Sequence, residues 1–146
     1  MIQTMGGNID SNLQQLDILE EEGATPDSLI VAHTGSEPDQ FYHFKIAERG
    51  AWVEYDHLNR KSHAEVEGNI MLIQEMLHKG YEDQLLISQD SGWYNVGQDN
   101  GGEINGFEYL VKDFTPLLGK KGISNATIHK LMVENPARAF AFDSSR

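Results

Sequence analysis

Short, mainly apolar runs alternate with longer amphipathic segments along the chain. Residues 29–32, 51–55 and 85–88 form such runs, which are typical of strands that are buried on both faces. Residues 2–4 form a shorter run that predicts one further strand at the start. Because strands that alternate with helices form parallel βαβ units, the pattern predicts an α/β protein with three or four such units.

The segments between these runs have the periodicity and the end signals of helices. Ser62 and Glu65 have the spacing of a capping box, and a glycine follows three of the segments, as a C-terminal stop requires. A glycine-rich stretch at 92–106 predicts a flexible connection, and Pro136 predicts that a new helical turn starts after the last helix. The predicted helices are 11–22, 41–49, 62–79, 107–118 and 125–134.

The number of βα units limits the folds that the chain can adopt. No repeat, low-complexity tract or linker divides the chain, so residues 1–146 are predicted to form one domain. A complete (β/α)8 barrel takes about 250 residues, so three or four units correspond to about half of one. A small doubly wound sheet is the alternative that this pattern leaves open.

Composition and charge exclude several classes of partner. A formal net charge of -12 disfavours nucleic acid and anionic membrane surfaces, since binding to either needs clustered Lys and Arg. No apolar run approaches the ~20 residues of a membrane span, and no secretory signal is visible, so a cytoplasmic protein is expected. The chain has no cysteine, which excludes disulfides, thiolate metal sites and a cysteine nucleophile.

Three of the predicted strands run directly into residues that bind metals or move protons. His33 follows the first, Asp56 and His57 follow the second, and Asp90 follows the third. Because the carboxyl ends of parallel strands meet at one edge of a sheet, these side chains should lie close together. Imidazole and carboxylate groups are ligands of Zn and similar divalent metals. The structural alternative is a hydrogen-bonded loop histidine with aspartates that cap the next helices.

The remaining histidines and the glycine-rich stretch point to no second site. His43, His63, His78 and His129 fall within predicted helices or at their starts, and no H-E-x-x-H pair is present. They are predicted to be surface or structural residues. The stretch at 92–106 lacks the G-x-x-x-x-G-K-[ST] pattern, so it is not predicted to cradle phosphate.

Four blocks, in this order, resemble one family of barrel hydrolases, the phosphotriesterase-like proteins of the amidohydrolase superfamily. Val31-Ala32-His33 is similar to the end of that family's sixth strand, which carries a metal-binding histidine. Tyr55-Asp56-His57 resembles the Asp-His pair that closes the seventh strand, and residues 86–90 resemble the eighth-strand segment that ends in a metal-binding aspartate. Residues 122–138 resemble the closing helix. The resemblance therefore implies strands 5–8, the C-terminal half, of a (β/α)8 barrel.

The resemblance also implies an activity and a set of roles. Members of the family hold two divalent metals bridged by a hydroxide that attacks phosphotriesters, lactones or related esters. By position, His33 would bind one metal and Asp90 the other, and Asp90 would also accept a proton that His57 relays outward. Arg60 and Trp93, in the loops that follow, would shape the substrate pocket. The implied metal is Zn, with Mn, Co or Fe as the other options, and the implied substrate is a small ester or lactone.

Several parts of the family's site have no counterpart in this sequence. No H-x-H occurs anywhere in the chain, and the bridging Lys or Glu of the family's fourth strand has no match. An ungapped reading puts Met5 where the fifth-strand histidine should stand, and Ser36 occupies a position at which some members carry an acid. A catalytic Zn site normally takes three protein ligands. With only His33 and Asp90 left of the expected set, the chain is expected to bind metal weakly.

Two functions from different classes follow from these observations. The first is a metal-dependent hydrolase of which the isolated chain is inactive, and the second is a non-catalytic remnant or half-barrel interaction module. A fragment of a longer protein, the product of an interrupted gene and a half-barrel that pairs with a partner all fit the sequence. Strands 5–8 alone would have two open edges, so a homo-oligomer or a complementing half-barrel is expected.

Overall fold

Four parallel strands form the sheet of this protein. The computed structural model describes residues 2–5, 9–58, 62–102 and 106–141. The strands lie side by side in sequence order, without the reversal of order that defines a doubly wound sheet. The protein is therefore α/β with consecutive parallel strands, and the additional strand predicted at the start is present. The strands are β1 (Ile2–Met5), β2 (Leu29–Ala32), β3 (Trp52–Tyr55) and β4 (Leu85–Ile87).

Helices connect the strands and follow the last one. The stops predicted at Gly50 and Gly80 are confirmed, because both residues have positive φ angles, of 90° and 84°, as a C-terminal helix stop requires. Ser62 and Glu65 form the predicted capping box. Among the described residues, no helix has both the length and the apolar character needed to cross a membrane. The helices are α1 (Ile9–Glu21), α2 (Gln40–Glu48), α3 (His63–His78), α4 (Thr115–Lys120), α5 (Asn125–His129) and α6 (Asn135–Phe140).

The C-terminal part of the chain corrects one prediction. The helix predicted at 125–134 continues through Pro136 to the end of α6, so Pro136 does not restart a helix. The reason is a five-residue π turn, Lys130–Glu134, after which the Asn135 N–H donates to the carbonyl five residues earlier. This wider turn carries the helix past Pro136, which has no N–H to donate. A second π turn, Leu110–Phe114, leads into α4 in the same way.

Both faces of the sheet are buried. All four residues of β2 are buried, as its continuous apolar run predicted. Alternate residues such as Val31 and Val53 pack into the main core beneath the helices. On the opposite face, a second cluster packs against Ala139 of α6. The sheet is therefore held from both sides, which gives the residues at its carboxyl edge a rigid support. The second cluster consists of Ile30, Trp52 and Leu86.

A buried hydrogen bond fixes the end of β3, directly before Asp56. His43 of α2 and Tyr55 of β3 are both fully buried, and the His43 Nδ1 lies 2.8 Å from the Tyr55 hydroxyl. Burial lowers the pKa of His43 and raises the pKa of Tyr55, so both side chains are neutral near pH 7. His43 is thus a structural residue, in agreement with the sequence analysis.

Replacement of Tyr55 by Phe should lower the free energy of unfolding by about 1–3 kcal/mol, because it removes the partner of a buried ring nitrogen of His43. Urea denaturation monitored by circular dichroism measures the change. Tyr94→Phe is the matched control, since Tyr94 is 65% exposed and its change should stay within about 0.5 kcal/mol. Equal effects of the two substitutions would contradict the structural role of the His43–Tyr55 bond.

Candidate functional site

The side chains that follow β2, β3 and β4 meet at the carboxyl edge of the sheet. The imidazole rings of His33 and His57 stack, with centroids 4.9 Å apart and an interplanar angle of 22°. The Nε2 atom of His57 lies 3.3 Å from Asp90 Oδ2, and its Nδ1 atom lies 4.0 Å from Asp56 Oδ1. The structure therefore brings together the four residues that sequence analysis expected at one edge, with β3 supplying the central pair. Their individual roles remain predictions.

Asp56 is the most buried member of this group, with 5% of its surface exposed. Its Oδ2 atom accepts a hydrogen bond from the backbone N–H of His33 at 2.8 Å and lies 2.7 Å from the His33 Nδ1 atom. Although this second distance is short, the Nδ1 atom is buried without a well-directed hydrogen bond. The backbone hydrogen bond, rather than the contact with the ring nitrogen, therefore anchors the Asp56 carboxylate. The contact shows that the ends of β2 and β3 are joined through one carboxylate.

Two of these residues have a strained backbone. His33 has a φ angle of 54° and Asp90 a φ angle of 41°, in the left-handed region that residues other than glycine rarely adopt. His33 directly follows β2, and Asp90 stands three residues after the end of β4, where the glycine-rich loop begins. Such conformations persist only where surrounding contacts enforce them, and they concentrate at functional sites. Among the four residues of this edge, the two with this conformation are those that the resemblance implies as metal ligands.

Glu54 is a further acidic residue of this edge that sequence reasoning did not select. It lies within β3, half-buried, and its Oε1 accepts a hydrogen bond from the Ser88 hydroxyl at 3.1 Å. Burial, and then the negative charge of Asp56, raise the pKa of Glu54. The signal was present in the sequence: Glu54 is the one charged residue inside an otherwise apolar strand run. A carboxylate in that position is costly unless the site uses it or pairs it.

Of the two predicted pocket residues, Trp93 lies within the described part of the chain and Arg60 does not. A cleft of about 390 Å³ opens beside Asp56 and His57, and Ser36 and Glu65 are among its lining residues. Trp93 is not among the lining residues of this cleft. It is 67% exposed, and its indole Nε1 donates to the Asp90 carbonyl at 3.2 Å. Trp93 therefore lies beside Asp90 but does not form part of the wall of the cleft. Arg60, the other predicted pocket residue, lies outside the described residues.

The end of β1 marks the side on which the predicted ligand set is incomplete. Met5 pairs in register with Ala32, the residue before His33, so it stands at the position expected for the end of the preceding strand. A thioether is a soft ligand that suits Cu(I) better than Zn, Mn or Co. The backbone pairing of β1 with β2 is therefore regular, while Met5 is not the residue type that the resemblance implies at this strand end.

The donors that converge here fit a divalent metal. Ligand atoms of His33, Asp56 and His57 all lie within 4.8 Å of one another. Two imidazoles and one carboxylate form a donor set of the kind that holds catalytic Zn. The buried Nδ1 of His33, which lacks a well-directed hydrogen bond, is also suited to a ligand that the protein alone does not supply. Of the two ligands that the resemblance implies, His33 belongs to this group and Asp90 does not, and the other two members are Asp56 and His57.

Comparison with known proteins gives a consistent picture. The model of the phosphotriesterase family matches residues 1–140. The phospho-furanose lactonase of Mycoplasmopsis synoviae (strain 53) is 32% identical over 129 residues, which cover 85% of this chain and 36% of the lactonase. The chain spans less than half the length of the curated relatives it matches.

Solved structures share the fold over nearly the whole chain. An amidohydrolase from Mycoplasma synoviae superposes with a TM-score of 0.78 at 28% identity, over 99% of this chain and 42% of that one. The phosphotriesterase homology protein from Escherichia coli, solved with phosphate in its active site, gives a TM-score of 0.78 at 26% identity, over 94% of this chain and 47% of that one. The parallel α/β arrangement described above matches that of these proteins.

Replacement of Glu54 by Gln should stabilise the fold at neutral pH, because it removes a half-buried charge next to Asp56 but keeps an oxygen for the Ser88 hydroxyl. Solvent screens the partly exposed carboxylate, so the gain should be small, on the order of 0.5 kcal/mol. A raised folded pKa means that the native state holds the proton more tightly than the unfolded state. The destabilisation of the parent protein therefore develops as pH rises above the unfolded value of about 4.3 and is absent below it.

Thermal unfolding of the parent and Glu54→Gln between pH 3 and pH 8 tests this expectation. The two curves should converge at low pH and separate toward neutral pH, with the variant more stable. A matched control is Glu75→Gln, on the exposed side of α3. A Glu54→Gln variant that is less stable than the parent at pH 7 would mean that the carboxylate is paired favourably, contrary to the direction of its pKa shift.

Proposed function

Because the chain belongs to the phosphotriesterase family, we propose that it forms part of a metal-dependent hydrolase of small-molecule esters or lactones. The observation that carries the proposal is the cluster of His33, Asp56, His57 and Asp90 at one edge of a parallel sheet. His33, Asp56 and His57 offer the donor types of a divalent metal site within one compact group, and Asp90 lies 3.3 Å from His57. A relative named as a lactonase and neighbours named as hydrolases support the same reaction class.

The residues of this chain divide into metal ligands and proton carriers. His33 and Asp90 would hold divalent metal, with Zn as the first choice and Mn, Co or Fe as alternatives. A divalent metal bound there supplies an acidified water molecule and polarises the bond to be cleaved. Asp90 is placed to accept a proton, and its Oδ2 atom lies 3.3 Å from the His57 Nε2 atom. Since 42% of the His57 side chain is exposed, that ring can release the proton to solvent.

The substrate pocket would lie above this edge of the sheet. The exposed indole of Trp93, held by its bond to the Asp90 carbonyl, offers an apolar surface for the leaving group. Arg60 would add a positive charge in the loop after His57. The cleft beside Asp56 carries the acidic residues Glu37 and Glu65 on its wall, which disfavours anionic parts of a substrate there.

The chain would supply about half of the complete site. We propose that its four strands correspond to strands 5–8 of a (β/α)8 barrel, with the remaining ligands on strands that the chain does not contain. The outer edges of β1 and β4 would then pair with a complementing half-barrel or a second copy. The alternative function, a non-catalytic interaction module, is favoured by one observation: Met5 stands at the strand end where a histidine is expected.

The 146-residue chain alone should show no esterase, lactonase or phosphotriesterase turnover above background with added Zn, Mn or Co. The reason is that only part of the expected ligand set is present. Joined to a segment that supplies the missing strands, with an H-x-H strand end and a Lys or Glu strand end, it should become active. In that assembly, Asp90→Asn should lower kcat by at least about 100-fold, because the proton acceptor is lost.

An open reading frame upstream of Met1 that encodes these strand ends would be a source of such a segment and can be expressed directly. Asp113→Asn, at an exposed position of the π turn Leu110–Phe114, is the matched control and should leave turnover unchanged. Turnover that Asp90→Asn leaves intact would contradict the catalytic assignment. A folded assembly that binds metal but hydrolyses none of the three substrate classes would favour the interaction module.

A further inference from the structure

We propose that the cleft beside Asp56 and His57 is a specificity pocket, which receives a positively charged group of the substrate, such as an ammonium, and rejects an anionic one. The cleft lies between the loop after β2 and the first half of α3. Its volume of about 390 Å³ is within the size range of small-molecule pockets. The proposed function enters here only as the reaction, hydrolysis of a small ester or lactone, to which the cleft adds a class of substrate.

The cleft begins at the edge of the sheet where the reaction would take place. Asp56 and His57 belong both to that edge and to the lining of the cleft. Asp90, the proposed proton acceptor, lies 3.3 Å from the His57 Nε2 atom. A substrate whose reactive bond lies at His33 and Asp90 can therefore extend past the His57 ring into the cleft. The cleft is thus placed to select a group of the substrate that does not react.

Carboxylates line the cleft on more than one side. Glu37 belongs to the loop after β2, Glu65 to the first turn of α3 and Asp56 to the end of β3. Among the described residues, no Lys or Arg lines the cleft. Charges act on one another over about 8 Å at physiological ionic strength, so a group that enters the cleft is exposed to all of these carboxylates. They attract a cation and repel an anion.

Asp56 also gives the cleft a carboxylate oxygen without a hydrogen bond. The residue is 5% exposed, and its Oδ2 atom accepts the His33 N–H at 2.8 Å. No donor in the described part of the chain reaches its Oδ1 atom, and the His57 Nδ1 atom stands 4.0 Å away, beyond hydrogen-bond distance. A buried carboxylate is costly unless it is paired. Because Asp56 and His57 both line the cleft, an ammonium group bound there would supply the missing donor.

A buried histidine holds the cleft in shape. His43 is fully buried, with its Nδ1 atom 2.8 Å from the Tyr55 hydroxyl and its Nε2 atom 3.1 Å from the Glu37 carbonyl oxygen. Tyr55 and Glu37 are both lining residues of the cleft. The Glu37 Oε1 atom accepts the Asp39 N–H at 3.0 Å, so its own loop orients this carboxylate. A preformed pocket of this kind loses little free energy to ordering when a ligand binds.

Three matched esters test the pocket: the methyl ester of ε-aminocaproic acid, methyl caproate and monomethyl adipate. They have nearly the same length, and the end opposite the ester is positive, neutral and negative in turn. Each is titrated into the isotope-labelled 146-residue chain without added metal, and NMR amide shifts report binding. The cationic ester should bind more tightly than the anionic one by about 10-fold or more, with the neutral ester between them. The amide signals of lining residues such as Ser36, Glu37 and Asn69 should move.

Substitutions in the cleft locate the charge preference. Glu37→Gln keeps an oxygen for the Asp39 N–H but removes a charge, so it should reduce the cation-to-anion preference by about 3-fold or more. Asp56→Asn should reduce it as well, with circular dichroism to check that the variant folds. Glu75→Gln, at an exposed position of α3 outside the cleft, is the matched control and should keep the preference of the parent. Added salt should narrow the preference in the parent.

Equal binding of the three esters, or tighter binding of the anionic one, would overturn the assignment. A cation preference that both Glu37→Gln and Asp56→Asn leave unchanged would place the cation elsewhere and overturn it too. None of these measurements needs a metal or turnover, so a failure of the proposed hydrolase does not alter their outcome. Conversely, an assembly completed with the missing strands that hydrolyses all three esters equally well would keep the hydrolase and refute the specificity pocket.

Discussion

The hydrogen bond from the His33 N–H to the Asp56 carboxylate is the contact on which the arrangement of the site depends. It joins the first residue after β2 to the first residue after β3, in a place where the sheet ladder has already ended. Through this bond His33 is held in its left-handed conformation, and its ring is turned toward His57. The bond also explains why Asp56 is buried: its charge is compensated locally rather than by water. Strand ends that would otherwise diverge into separate loops are thereby kept as one group.

The same contact concentrates negative charge at this edge. Asp56 and Asp90 both act on Glu54, and the pKa of Glu54 rises because burial and then Asp56 disfavour its charged form. No Lys or Arg forms an ion pair with these three carboxylates among the described residues. The two neighbouring imidazoles are the cationic groups the described part of the chain offers, and they carry charge only when protonated. A bound cation would offset the negative charge at this edge, which is a physical reason to expect a metal here.

Much of this arrangement was predictable, and the failures have identifiable physical causes. The strands and their order followed from short buried apolar runs, and His33, His57 and Asp90 followed from the rule that parallel strands end together. Asp56 was placed correctly but its contact with His33 was not foreseen, because a hydrogen bond to a backbone N–H leaves no trace in side-chain pattern. Glu54 was not predicted to belong to the site, because it lies inside a strand run whose other residues are apolar. The helix through Pro136 was missed because a π turn shifts the hydrogen-bond ladder by one residue, which helical periodicity does not reveal.

The residue types at the strand ends differ from one side of the sheet to the other, and this difference links the fold to its proposed role. From β2 to β4 each strand ends in imidazole or carboxylate, whereas β1 ends in Met5 although its register with β2 is regular. A continuous barrel would place further ligands beyond β1, so the incomplete side of the site would coincide with one of the two outer edges of the sheet. Pairing at the outer edge of β1 would then satisfy free backbone groups and bring new ligands within reach of His33 in a single step. Under the proposed half-barrel arrangement, pairing at the outer edge of β1 would meet both the need for a strand partner and the need for further metal ligands.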